Sequence, residues 1–417
     1  MANTVTLEKP RRFPALRHRN FSLLWSGLIV SNAGTWMQNV AQGWLVLQLT
    51  NSPLWLGLLG LSFALPMIIL PFFGGVTVDR INRIRLLYIT QTGMMLTAFI
   101  LAVLTWLHII SVYHILAASF IGAVFLAFDN PARQALVPDL VPREDLLNAL
   151  SLNSATFTGA ALIGPAIAGA LLGILGAGSL FFINGLSFLA VLFALASMRN
   201  VRTHSGGERT SIKSSVLAGL SYAWKSRFIL ALLALSTVTA IFGRSYQVLL
   251  PIFARDIWHA GAGGYGFLLA SSGGGALAGA FVLASFSNIK RAGMVMVISG
   301  LVFSLSVILF AESPNLILGV IFLFINGFSG TAVGTIIATF IQVTVPNELR
   351  GRIISLYTIT LIGLPALGSL GSGAVAELLG GIPGAPRAVL IGGVIVGIII
   401  VFTAPLFWRK IMNQEGK

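Results

Sequence analysis

Few side chains in this 417-residue chain could do chemistry, because only 9% of its residues are charged. Arg244 is the most informative of them. It lies inside a long apolar stretch, where an arginine is unfavourable by about 2.5–3.5 kcal/mol on membrane-insertion scales unless it is paired or hydrated. Its side chain could extend outward past Tyr246 and Gln247 to reach Asp256, or it could face an internal cavity and bind substrate. The sequence leaves both possibilities open.

A second set of charges follows the second apolar stretch, in the segment GGVTVDRINRIR, Gly74–Arg85. Asp79 could lie against the positive N-terminus of another helix. Asp129 lies well inside an apolar stretch, and an isolated carboxylate is costly there unless it is paired. We predict that Arg83 or Arg80 is its partner. The alternative is an ordinary solvated loop.

The first apolar stretch is unusually polar along one helical face. Positions three or four apart share a face of a helix, and here they carry amides, a hydroxyl and an indole: Asn32, Thr35, Trp36, Asn39 and Gln42. Because polar groups that face lipid stay unsatisfied, this face should point into a central cavity or into the bundle. Amides beside an aromatic ring suit a neutral or cationic amphipathic ligand. Hydrogen bonding between helices is the alternative.

Other chemistries find little support. Cysteine is absent, which excludes disulfides, thiolate metal sites and cysteine nucleophiles. The five histidines show no metal-ligand spacing, and no Ser-His-Asp grouping is apparent. We therefore expect no metal, no cofactor and no enzymatic activity, and we keep a polytopic membrane enzyme only as a remote alternative.

The elements that hold these residues must be membrane helices. The chain is 56% hydrophobic, and its 9% of charged residues compares with roughly 25% in soluble domains. A membrane span needs about 20 mostly apolar residues, and twelve stretches fit that length. The predicted spans are Phe21–Leu49, Leu54–Val78, Leu86–Trp106, Ser111–Leu136, Ala149–Leu175, Ser179–Ser197, Phe228–Leu250, Tyr265–Ser285, Met294–Phe310, Leu316–Ala338, Ile353–Glu377 and Ala388–Trp408.

The basic residues predict the topology. If all twelve stretches cross the membrane, 23 of the 26 lysines and arginines lie on one side, together with both termini. Because cytoplasmic loops collect Lys and Arg, that side is predicted to be the cytoplasm. The net charge of +14 is then a topology signal and not a sign of nucleic-acid binding. Arg244, in the outer half of the seventh span, would lie on the periplasmic side of a cavity.

The spans divide into two groups of six, which gives an N-terminal bundle at 1–198, a central loop at 199–227 and a C-terminal bundle at 228–417. The loop carries four apolar residues spaced four apart, a pattern typical of an amphipathic helix on the membrane surface. A loop folded against the helix ends is the alternative. The four residues are Ile212, Val216, Leu220 and Trp224.

An internal repeat relates the two halves at an offset of 204 residues. Val141-Pro142 falls on Val345-Pro346, and three glycines fall on glycines: Gly159, Gly164 and Gly169 on Gly363, Gly368 and Gly373. Two six-helix bundles in parallel repeat predict a transporter whose halves rock about a site at the membrane midplane. The glycines could equally serve close helix packing, and a rocking interface needs both.

These segments resemble the major facilitator superfamily. GGVTVDRINR (Gly74–Arg83) is similar to its loop motif, and the repeat resembles the superfamily along the whole chain. GAALIGPAIAG (Gly159–Gly169) resembles the Gly-Pro motif of its drug/proton antiporters. The start at Arg17–Gln38 and the segment Asp129–Ala155 resemble one branch, the enterobactin-exporter-like and macrolide-efflux-like permeases.

The resemblance implies a twelve-helix major facilitator fold and an inner gate that closes in the outward-facing state. In this gate Asp79 would cap helix 11 near Arg350–Arg352, and Arg83 would pair with Asp129. The resemblance assigns further residues to the gate and to the antiporter motif of helix 5: Gly75 and Arg80, and Gly159, Gly164, Pro165 and Gly169. The second-half loop Phe286–Gly293 has no matching aspartate, and Ser369 stands in place of Pro165.

The function that the resemblance implies is secondary active export of an amphipathic small molecule, such as a drug or siderophore, with a proton as coupling ion. We expect Asn32, Thr35, Trp36, Asn39 and Arg244 to line the substrate cavity. We expect a monomer that contacts membrane lipid in a bacterial inner membrane, with both termini in the cytoplasm. A lipid or lysolipid translocator and an importer remain alternatives, because this fold serves them too.

Overall fold

The computed structural model describes residues 13–70, 82–199, 220–286 and 292–415. Those ranges are helical and contain no β-strand. After a 3-10 turn at Pro14–Arg17, the described residues form twelve main helices, which we number in chain order. They are α1 (Arg19–Thr50), α2 (Pro53–Ile69), α3 (Arg83–Trp106), α4 (Val112–Leu140), α5 and α6 (146–175 and 177–197, within Leu146–Ser197), α7 (Arg227–Ile257), α8 (Gly261–Ala284), α9 (Ala292–Ala311), α10 (Leu316–Thr344), α11 (Asn347–Leu378) and α12 (Ala385–Glu415).

Most of these helices are long and apolar enough to span a membrane. Nine helical segments within the described ranges are long and apolar enough to cross a membrane, and one of them holds both α5 and α6. The apolar helix α2 has 17 residues. The 32-residue α1 is long enough but carries the polar face noted above. The predicted all-helical membrane architecture is confirmed, and twelve crossings remain a prediction.

Several predicted boundaries were wrong by a turn or more. α7 continues to Ile257 beyond the predicted end at Leu250, and α11 begins at Asn347 rather than Ile353. Hydropathy misses such turns because a polar residue at a helix end still forms helical hydrogen bonds. The join of α5 and α6 was predicted correctly. It lies at Gly176, whose φ of 74° and ψ of 168° are accessible chiefly to glycine.

The two ends of the bundle differ in how the halves pack. We call the end where α1 begins the proximal end and the end where α1 finishes the distal end. Towards the distal end, one hydrophobic core, the shared core, contains buried residues from both halves. Its members include Val40, Trp44, Leu47, Leu172 and Phe181 from the first half, and Tyr246, Phe253, Tyr265, Phe310 and Val389 from the second.

Towards the proximal end the described residues form two separate cores. One core contains only first-half residues between Ala15 and Leu195, and the other contains only second-half residues between Ala223 and Ile400. Because buried apolar contact holds helices together, the halves are joined at the distal end. In the described part of the chain they are separate at the proximal end, so the space between them opens there.

Candidate transport cavity and gates

The polar face of α1 lies towards the second half. Its position is fixed at the distal end by Gly43, where an added Cβ would lie 3.0 Å from Tyr265 Oη of α8 and 3.8 Å from Pro251 Cγ of α7. On the same face towards the proximal end, Asn39 is exposed and Asn32 is half-buried. The face therefore runs from the shared core into the opening between the halves.

Other polar groups of α1 serve packing. Asn184 of α6 donates a hydrogen bond to Gln38 Oε1 at 2.8 Å, and Thr35 donates to the carbonyl of Ser31 in its own helix. Gln42 is buried, and its Nε2 has no hydrogen-bond partner among the described residues. Of the polar residues of α1, Asn39 is thus accessible, Gln38 joins α1 to α6, and Thr35 bonds within its own helix.

An aromatic pair lies at the half-buried part of this face. Trp36 contacts Phe157 of α5, with ring centroids 6.5 Å apart and planes tilted by 59°. An added Cβ at Gly164 of α5 would lie 2.6 Å from Trp36 Cβ. A glycine is thus what lets α5 approach α1 at this indole.

Arg244 is exposed although it lies in the middle of α7. It follows a π-helical turn at Thr239–Gly243, and such turns often occur at functional sites. The ring of Phe303 fills the space beside that turn, because an added Cβ at Gly243 would overlap it. Arg244 lines a small cavity between α7, α9, α10 and α11. The cavity is formed by Ser236, Thr239, Ala240, Arg244, Phe303, Gly330, Val333, Gly334, Ile337, Tyr357 and Leu361.

The structure decides between the two predicted orientations of Arg244. Asp256 is bound by the adjacent Arg255, whose Nε lies 3.0 and 3.1 Å from the two carboxylate oxygens, so the extended arm to Asp256 is not formed. The expected place on the periplasmic side stays a prediction, because it depends on the orientation of the chain in the membrane. Side chains tilt towards the N-terminus of their helix, and the cavity around Arg244 extends from mid-bundle towards the proximal end, as Ser236 and Tyr357 show.

The acids of the first half have separate partners in this structure. Arg83 donates to Asp139 Oδ2 at 2.5 Å and to the carbonyl of Ala135, so it does not contact Asp129 in this conformation, whose proximal end is open. The pairing of Arg83 with Asp129, expected for the state closed at that end, stays a prediction. The two aspartates are ten residues apart on α4, or about 15 Å at 1.5 Å per residue. Arg83 is therefore held near the proximal end of α4, away from Asp129.

Asp129 is nearly fully buried and has partners of its own. Its Oδ1 accepts hydrogen bonds from Thr90 and Gln91 of α3, both at 2.8 Å. Arg133, one turn further along α4, lies 3.7 Å from Oδ2. This cluster joins α3 to α4. Gly75, Asp79 and Arg80 of the predicted gate lie outside the described residues.

Two second-half residues hold the turn between α1 and α2 at the distal end, and we call this contact the distal clamp. Arg255 of α7 donates to the carbonyl of Leu47 at 3.0 Å and to Asn51 Oδ1 at 2.7 Å. Glu377 of α11 accepts from Ser52 Oγ at 2.7 Å and from the backbone N–H of Leu54 at 3.4 Å. A cation thus meets the C-terminus of α1 and an anion the N-terminus of α2, as the helix dipoles favour.

Sequence reasoning missed the distal clamp. The only available signal was that Arg255 is one of three basic residues outside the predicted cytoplasmic segments, together with Arg244 and Arg387. Its partners in the first half could not be named without the fold, because Leu47 and Asn51 are more than 200 positions away from Arg255 in the chain.

Two of the repeat glycines, Gly169 and Gly373, lie where the halves cross. An added Cβ at Gly169 of α5 would lie 2.8 Å from Gly266 Cα of α8. In the equivalent crossing, an added Cβ at Gly373 of α11 would lie 2.5 Å from the carbonyl oxygen of Pro53 and 3.2 Å from Gly57 Cα. Both crossings join one half to the other, so these glycines permit close contact between the halves. Gly159 differs, because an added Cβ there would meet nothing within 4 Å.

An all-helical membrane chain whose halves enclose a polar, one-sided opening is the architecture of a major facilitator superfamily transporter. Solved structures share this fold. The chain resembles the nucleoside transporter NupG with a TM-score of 0.78, 16% identity and coverage of 94% of this chain and 99% of that one. It resembles an inward-facing bacterial homologue of the lysosomal transporter Spinster with a TM-score of 0.75, 14% identity and coverage of 97% and 99%.

Within that superfamily, the chain belongs to the family described as transmembrane secretion effectors, whose model matches residues 11–414. It is 26% identical to the staphyloferrin A transporter of Staphylococcus aureus over 83% of this chain and 87% of that protein. It is 25% identical to the multidrug efflux pump Tap of Mycolicibacterium fortuitum over 91% and 94%. It is 26% identical to the enterobactin exporter EntS of Escherichia coli over 79% of each. The protein is therefore a multi-pass membrane transporter of a small molecule and not an enzyme.

Proposed function

We propose that this protein exports an amphipathic small molecule by alternating access, with proton entry as the driving reaction. One observation carries the proposal: the halves share a core at the distal end and have separate cores at the proximal end. Asn39 of the first half and Arg244 of the second half are both exposed, and Arg244 lines a cavity between helices of the second half. This arrangement suits a substrate site that opens to one side of the membrane at a time.

The direction of transport follows from the proposed topology. If the side with 23 of the 26 basic residues is the cytoplasm, the opening at the proximal end faces the cytoplasm and loads substrate from inside. The relatives include a multidrug efflux pump and an enterobactin exporter. Their names support export from a bacterial inner membrane.

The bundles 1–198 and 228–417 would move against each other, and the segment 199–227 would connect them. In that segment Leu220 and Trp224 are exposed in a helical turn, while Ile212 and Val216 lie outside the described residues. A helix on the inner membrane surface remains our prediction. We further propose that the protein acts as a monomer.

The proximal gate would be built from the loop motif. Arg83 already fixes the start of α3 to α4 through Asp139. In the state closed at the proximal end, Asp79, Arg80 and Gly75 would bring α2 against α11 near Arg350. The distal clamp would open in that state, so the two gates would alternate.

Transport into everted membrane vesicles tests the proposal. Cytoplasmic loading and proton antiport predict that substrate accumulates inside when the lumen is acidified, and that accumulation stops when a protonophore removes the gradient. The panel should contain aromatic carboxylates, catechols, cationic dyes and a fluorescent lysolipid. Accumulation in right-side-out cells and not in everted vesicles would indicate an importer. Movement of the lysolipid alone would indicate a lipid translocator.

A further inference from the structure

We infer that Arg244 forms a binding site for an anionic group of the substrate, a carboxylate or another planar pair of oxygens, so that the transported molecules are amphipathic anions. The inference deepens the proposed function and rests on it, because it assigns the substrate class of the same cavity. It departs from the neutral or cationic ligand that the amides of α1 suggest when they are considered alone.

The charge of Arg244 is uncompensated within the described residues. No aspartate or glutamate there lies within 4 Å of its guanidinium. Asp256, the acid nearest to it in the chain, binds Arg255, and Glu377 of α11 binds the turn before α2. A cation at mid-membrane depth is unfavourable unless it is paired or hydrated. A ligand that brings a negative charge removes this cost, whereas a cationic ligand adds to it.

The neighbouring hydroxyl groups are already used as donors or paired with each other. Tyr357 donates to the carbonyl of Gly334 at 2.8 Å, and Thr239 donates to the carbonyl of Leu235 at 2.8 Å. Ser236 is paired with Thr360. A guanidinium has five N–H donors in a planar fork. Arg244 is exposed and lines the cavity, so a carboxylate that enters the cavity can accept two of those donors in parallel.

The walls around Arg244 suit the apolar part of such a ligand. Phe303, Val333, Ile337 and Leu361 line the cavity, and low-polarity surroundings strengthen an ion pair. The base of the arginine is held by the π-helical turn at Thr239–Gly243.

The test uses three probes with one aromatic body: naphthalene-2-carboxylate, naphthalene-2-carboxamide and naphthalen-2-ylmethylammonium. Binding is measured by calorimetry on purified full-length protein in phosphatidylcholine nanodiscs without a gradient, so that anionic lipid and transport are both excluded. The wild-type protein should bind the carboxylate at least tenfold more tightly than the amide and the ammonium least tightly.

The Arg244→Gln variant should lose at least tenfold in affinity for the carboxylate and keep its affinity for the amide. Arg244→Lys retains the charge without the fork, so it should fall between the two. Arg387→Gln removes an exposed arginine from the same half and should behave as wild type. Thermal unfolding of each variant shows whether the protein remains folded.

Equal affinity of the wild type for the three probes would overturn the inference, and so would a loss in Arg244→Gln that is the same for carboxylate and amide. A structural role of Arg244 gives this second result, because it changes stability without changing the preference among charges. The proposed function is tested separately from this inference. Charge-selective binding without proton-dependent flux in vesicles would leave the anion site standing and remove the exporter.

Discussion

Replacing Arg255 with alanine removes two hydrogen bonds through which the second half holds the end of α1. The guanidinium donates to the carbonyl of Leu47 at 3.0 Å and to Asn51 Oδ1 at 2.7 Å. Because both acceptors belong to the first half, the bonds break when the halves separate at the distal end. The substitution should therefore shift the protein towards conformations open at that end.

The size of the shift follows from the contacts. A hydrogen bond from a charged donor contributes about 1.5–3 kcal/mol, but partly exposed charges contribute less because water and salt screen them. The Arg255 side chain is 21% exposed and also pairs with Asp256. We therefore expect the closed distal end to lose about 1–2 kcal/mol, a factor of about 5–30 in the ratio of open to closed molecules.

Pulsed electron–electron double resonance measures this ratio. The chain has no cysteine, so single cysteines at positions 108 and 259, which are exposed at the distal ends of the two halves, can carry the only two nitroxide labels. The long-distance population should increase in Arg255→Ala. Glu377→Gln should shift it in the same direction, because it removes the negative charge from the N-terminus of α2.

Arg387→Ala is the matched control, since it removes an exposed arginine near the start of α12 in the same half. Its distance distribution should match that of the unsubstituted labelled protein. If Arg255→Ala is also unchanged, the distal clamp contributes nothing to closure, and the argument from its hydrogen bonds is refuted.

Three other predictions concern packing, pairing and topology. Gly169→Leu should lower the thermal stability of the purified protein by about 1–3 kcal/mol or more through overpacking, whereas Gly159→Ala should be neutral or slightly stabilising; equal stability of both variants would contradict the packing role. Exchanging Arg83 and Asp139 in a double variant should restore part of the stability and flux that each single variant loses. The coupling energy in stability should exceed about 0.5 kcal/mol, and purely additive losses would mean that the pair is not coupled. A cysteine in place of Ser205 should resist a membrane-impermeant maleimide in intact cells and react after lysis; labelling in intact cells would reverse the proposed orientation.

The membrane spans and the polar face of α1 show what the sequence could determine. A bilayer requires long apolar helices and leaves polar side chains unsatisfied when they face lipid, so the spans and the inward direction of the α1 polar face follow from residue order alone. The repeat glycines follow in the same way, since close crossings of membrane helices select small residues. The sequence did not predict which residues these glycines contact. An added Cβ at Gly169 would contact Gly266, whereas one at Gly159 would meet nothing within 4 Å.

The pairing of charges was decided only by the tertiary structure. Whether Arg83 reaches Asp129 or Asp139 depends on how far α3 is shifted along α4, and ten residues of shift move a carboxylate by about 15 Å. Hydropathy does not encode that shift, because sliding one apolar helix along another leaves its apolar length unchanged. The same reason explains Arg244 and Arg255. The sequence marks both as arginines in an apolar setting. Only the packing of the second-half helices places Arg244 in a cavity, and only the packing of the two halves places Arg255 against the end of α1.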